Sequence, residues 1–121
     1  MKIVIETIPH EKQRYDTVGD YWMDKDGTMQ VRISEEDTEK GIFLTMIHEL
    51  VEAFLTKYQG VNWNDIEEFD KKLLITKPDA EPGDDKNAPY YKQHHLATAI
   101  EMILAHELGI NWENYNNYEK D

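Results

Sequence analysis

Cysteine is absent from this 121-residue chain. No disulfide can staple the fold, and any transition-metal site must be assembled from imidazole and carboxylate rather than thiolate. Basic residues are scarce beside acidic ones, 13 Lys and Arg against 25 Asp and Glu, for a formal charge of −12. Such a surface repels nucleic-acid phosphates and anionic membranes, so neither is expected as a partner; a basic protein, a small ligand or a bound cation is favoured instead. Long apolar runs are missing too. The opening MKIVIETIPHEK meets charged residues too early for a secretory signal, and no later stretch approaches a membrane span, so a soluble cytoplasmic protein is expected. Proline is rare, with four in the chain. Three of them fall in TKPDAEPGDDKNAP, which marks that stretch as a loop and leaves its flanks free to form long regular elements.

What is present suits one compact domain over residues 1–121, with 40% hydrophobic content and too little chain for two cores. KIVIETI is rich in β-branched residues in loose alternation and reads as a half-buried strand. YWMDKDGTMQVRI carries Asp26-Gly27 between β-favouring residues, the signal of a hairpin. Together they predict a small antiparallel sheet made of the N-terminal strand and the hairpin. Beyond Asp37 the period becomes helical. Asp37 or Thr38 is a natural N-cap and Gly60 a stop; Asn62 caps a shorter helix through DIEEFDKKLL; Asn87 caps a second long helix with Pro89 in its first turn, which Gly109 ends. Asn111 starts a short terminal helix through Trp112 and Tyr115. The expected fold class is therefore α+β, a small sheet followed by two long and two short helices.

Chemistry concentrates in MIHELVEAF, residues 46–54. His48, Glu49 and Glu52 spell H-E-x-x-E, which differs from the zinc-protease signature H-E-x-x-H only in its last ligand. On a helix advancing about 100° per residue, Phe43, Leu50, Val51, Phe54 and Tyr58 fall within roughly 60° of Ile47 and define the expected buried stripe. His48 and Glu52 then lie at its rim, near 100° and 140°, and Glu49 lies almost opposite Ile47. On the second long helix His94 and Glu101 share a line two turns apart, with Leu96, Ile100, Ile103 and Leu104 on the other side. If the two helices pack together, His48, Glu52, His94 and Glu101 converge as two imidazoles and two carboxylates. That set suits a divalent transition metal, zinc first, with iron or manganese if the coordination expands. Glu49 would stand beside it as proton acceptor. Two carboxylates would neutralise the cation, which favours binding over catalysis.

Other polar groups have plainer readings. His10, His95 and His106 are expected at the surface, and the acids Asp79, Glu81, Asp84 and Asp85 lack the regular spacing of a calcium loop and read as a solvated segment. Trp22, Trp63 and Trp112 read as core anchors; Arg14 and Arg32 read as surface ion pairs.

The blocks IPHEKQRYDTVGDYW, IHELVEAF, EPGDDKNAPYYKQHHLATAIE and LGINWENY resemble, over nearly the whole chain, a group of small uncharacterised phage and prophage proteins. That resemblance implies the cytoplasm of a host cell and brings no activity with it. More loosely, a sheet followed by an H-E helix is similar to the minimal core of zincin metallopeptidases, which implies His48 as ligand and Glu49 as base. Glu52 replaces the second histidine of that family. Two readings follow: a metal-dependent hydrolase of zincin type, and a non-catalytic acidic protein that binds a host factor, with a structural metal or none. The oligomeric state is left open.

Overall fold

A computed structural model describes residues 1–115, and the architecture is α+β, strands first and helices after. Strand β1 spans Ile3–Ile8, β2 Gly19–Met23 and β3 Met29–Ser34; helix α1 spans Glu39–Tyr58, α2 Trp63–Thr76 and α3 Tyr91–Glu107. Residues 112–115 are helical, where a short terminal helix through Trp112 and Tyr115 is expected.

The sheet is mixed rather than antiparallel throughout. β2 and β3 form the expected hairpin, with Gly27 in its turn at φ +84°. β1, however, runs parallel to β3, Ile3 opposite Met29 and Ile8 opposite Ser34, so the order is β1-β3-β2. The reason lies in β3, whose Met29, Val31 and Ile33 are 0, 0 and 2% exposed. A strand this apolar is best shielded with a neighbour on each side, and placing it centrally forces the link between β1 and β2 to pass over its end. His10 pins that crossing, with its ring nitrogens 2.8 Å from Ser34 Oγ and 2.7 Å from Asp16 Oδ1. Its side chain is 38% exposed, so a residue expected merely at the surface also ties the connection in place.

Helix α1 begins where the Thr38 hydroxyl accepts the Gly41 N–H at 3.1 Å and ends near Gly60, at φ +77°, as the cap and stop signals required. It lies across the sheet, with Met46, Leu50, Ala53 and Phe54 against Tyr21, Val31 and Ile33. Its other side packs on α3. The buried stripe is the expected one only in part, since Leu50 and Phe54 do pack on the sheet. Gly41, Leu44, Thr45, His48, Glu52, Ala53 and Thr56 are buried, a set centred on His48 and Glu52, while Phe43 and Tyr58 are 36 and 72% exposed. Helix α3 repeats the pattern: Gln93, His94, Ala97, Glu101 and Ala105 are buried, and Leu96 and Ile103 are 50 and 65% exposed. Small side chains explain the shift, because Thr45, Ala97 and Ala105 let the helices approach closely and the polar groups between them satisfy one another.

Asn62 caps α2 by accepting the N–H groups of Asn64 and Asp65. Trp63 then meets Tyr21 edge to face at 5.0 Å. Helix α3 starts at Tyr91 with Tyr90 at its N-cap, so Asn87 and Pro89 precede its first turn rather than form it. In the loop before it, a short 3-10 turn at Pro82–Asp84 packs on α3. Among the described residues no helix is long and apolar enough to cross a membrane.

Candidate metal centre

Between α1 and α3, three ligand atoms meet. His48 Nε2 and Glu52 Oε2 are 3.0 Å apart, Glu52 Oε2 and His94 Nδ1 are 3.0 Å apart, and the two nitrogens are 3.1 Å apart. All three residues are buried, at 7, 4 and 6% exposure. Such a His-Glu-His group can hold a metal ion, and it is the one group of this kind among the described residues. Helical spacing sets His48 above Glu52 on α1, and the close seam with α3 carries His94 to both.

The outer atom of every member is already engaged. His48 Nδ1 is 2.6 Å from Glu101 Oε1, His94 Nε2 is 3.3 Å from Asp84 Oδ1, and the Tyr21 hydroxyl donates to Glu52 Oε1 at 2.9 Å. A carboxylate on the outer nitrogen holds the proton of a neutral imidazole there, so the inner nitrogen presents its lone pair. Three lone-pair atoms then face one point, and a positive charge must sit among them. A metal ion or protons can supply it.

With protons alone, the electrostatics are lopsided. Burial works against a charged His48, but the bonds to Glu101 and Glu52 outweigh it and hold its pKa well above the usual imidazole value. His94 is likewise opposed by burial, then raised by Asp84 and Glu52 to about 10, with the charge of His48 pulling the other way. Burial disfavours the Glu52 carboxylate, yet the two histidines bring it down to about 2. Two cationic rings 3.1 Å apart at their inner nitrogens repel each other, and one divalent ion relieves both.

Of the four expected ligands, the structure joins His48, Glu52 and His94, and puts Glu101 on the far nitrogen of His48, where it orients the ring. Sequence reasoning missed Asp84, Tyr21 and two glycines. Asp84 sits in the loop read as solvated; the one signal was Gly83 before it, whose missing side chain lets the turn press on the His94 ring, since a Cβ there would overlap His94 Cγ and Nδ1. Tyr21 gave no local signal, being 31 positions from its partner.

Glu49 occupies the side of α1 opposite Ile47, as expected, and that side looks into a cleft of about 680 Å³ that also reaches Tyr21, His48, Glu52, Glu81 and His94. Its carboxyl lies over β2, where a Cβ on Gly19 would stand 2.6 Å from Glu49 Oε1. Burial first, then the negative charge of Glu52, push its pKa well up, while His48 partly offsets them. His95 and His106 are exposed, as expected. Arg14, expected in a surface ion pair, makes a two-pronged one to the buried Asp20 at 2.7 and 3.0 Å and stacks over Trp22.

Comparison with protein-family models, with curated proteins and with solved structures finds no match to this chain.

Proposed function

We propose that this protein is a zinc-dependent hydrolase of zincin-like chemistry, with His48, Glu52 and His94 as the ligands and Glu49 as the proton acceptor. The observation that carries the reading is the triangle of inner atoms at 3.0–3.1 Å, each with its outer atom tied by a separate residue. Two imidazoles and one carboxylate are the donor set of catalytic zinc sites that keep a fourth position open, whereas structural sites close all four with protein ligands. Glu101, the fourth residue of the expected set, is engaged on His48 Nδ1. Removing it from the inner set leaves one carboxylate against a divalent charge, and therefore a stronger Lewis acid than the neutral site foreseen from sequence.

A divalent ion held there by His48, Glu52 and His94 would polarise a carbonyl oxygen and make water acidic near neutral pH. The protein residues do the rest. His48, Glu52 and His94 fix the geometry at the floor of the cleft. Glu49 lines the same cleft, where it would take a proton from the attacking water and return it to the leaving group.

Metal analysis of protein purified without added salts tests this. About one equivalent of zinc per chain is expected, absent from His48→Ala and His94→Ala. Glu49→Gln should keep its zinc and lose about 10²–10⁴-fold in hydrolysis of a panel of fluorogenic peptides and esters. Iron or manganese in place of zinc would change the ion and leave the ligands. No transition metal, either as purified or on titration, ends the proposal.

A further inference from the structure

Strand β1 is the outermost strand of the sheet, and β3 is its sole partner among the described residues. The carbonyls of Lys2 and Ile8 accept the N–H groups of Met29 and Glu35. By the alternation of a ladder, the even-numbered residues therefore turn their N–H and C=O toward β3, and Ile3, Ile5 and Thr7 turn theirs outward. Helix α1 packs chiefly on β2 and β3. Ile3 and Ile5 are each 39% exposed, although Met29 and Val31, their neighbours in register, are 0% exposed. An apolar edge with free ladder groups is a template for another strand.

We propose that β1 is a homodimer interface, pairing antiparallel with β1 of a second copy about a two-fold axis at Val4, so that the two sheets join into one. The sequence is self-complementary in that register. Ile3 lies opposite Ile5 of the second copy and exchanges both backbone bonds with it, Val4 faces Val4, and Lys2 faces Glu6. Both charged residues are on the surface, with Glu6 56% exposed and 3.7 Å from Arg32. Shifting the axis to Ile5 keeps the outward groups in phase but sets Val4 against Glu6 and Lys2 against Ile8. Shifting it to Ile3 sets Lys2 against Val4 and loses the charge pairs. Only the Val4 axis matches apolar with apolar and acid with base. The interface is independent of the metal reading.

Because the chain lacks cysteine, a single introduced one reports without background. At a non-hydrogen-bonded antiparallel pair the Cα atoms stand about 4.5 Å apart, within disulfide range. Under mild oxidation Val4→Cys should therefore form a linked dimer at least about tenfold faster than Ile75→Cys, a more exposed position, at 81%, that does not meet its own copy. The unmodified protein should sediment as a dimer at about 0.1 mM, and Lys2→Glu, which sets acid against acid, should shift it toward monomer; circular dichroism confirms that each variant is folded. A monomeric unmodified protein, cross-linking at position 4 no faster than at position 75, or a dimer indifferent to Lys2→Glu overturns the proposal.

Discussion

At the scale of single residues, the site depends on groups that never touch the proposed ion. Glu101 holds His48 by Nδ1 at 2.6 Å, which fixes both the ring plane and the tautomer. Glu101→Gln should therefore weaken zinc binding about 10- to 100-fold, read by competition with a chromophoric chelator. Gly19 acts on Glu49 rather than on the ligands. A methyl group there would stand 2.6 Å from Glu49 Oε1, so Gly19→Ala should displace the carboxylate, lower kcat and leave the zinc content at the level of the unmodified protein. Gly19 does not announce itself in the chain. Glu101 is recognisable by its place two helical turns from His94, but its role on the outer nitrogen depends on a contact 53 positions away. Gly19 is the first residue of β2, a position where a glycine reads as the end of a turn.

At the scale of elements, polar residues join the helices. Asp70 on α2 accepts the Tyr15 hydroxyl at 3.0 Å and the Tyr90 hydroxyl at 2.7 Å, tying α2 to the crossover segment and to the start of α3. Burial pushes its pKa up to about 7 against the pull of those two bonds, and the charges of Glu52 and Glu81 add to the rise. The folded pKa is above the unfolded one, so the native state binds the extra proton between about pH 4 and 7. Stability from this group falls as pH rises through that window. Asp70→Asn keeps an acceptor for Tyr90 and removes the charge, and its urea midpoint should change less between pH 5 and 8 than that of the unmodified protein. The same polar logic explains why the apolar stripe around Ile47 misled. A sequence rule ranks faces by hydrophobicity, but α1 and α3 chose the faces with the smallest side chains, and the histidines and acids buried there found partners in each other.

At the scale of the whole molecule, protons and metal compete for one place. In the ion-free protein His94 has its pKa raised to about 10. Its contribution to folding is then fully present below the ordinary imidazole value and is lost as pH rises through about 10. Zinc requires the unprotonated ring, so binding should release protons and tighten as pH rises, measurable by calorimetry in buffers of different ionisation heat. An ion held only where α1 and α3 meet would also stabilise the fold, by about 2.7 kcal/mol at free zinc 100 times Kd. A chelator should lower Tm, and His94→Ala should abolish that response.

The sequence by itself determined what local physics can carry. Cap residues, stop glycines and the change from a two-residue to a helical period located α1, α2 and α3 to within a turn, and helical spacing alone placed His48 with Glu52 and His94 with Glu101. Tertiary structure decided the rest. Whether β1 would run parallel to β3, which faces of α1 and α3 would touch, and which atoms of four ligand candidates would turn inward all depend on contacts between residues tens of positions apart. Those contacts are selected by volume and by mutual satisfaction of buried polar groups, and neither quantity exists for a segment until its partner is in place.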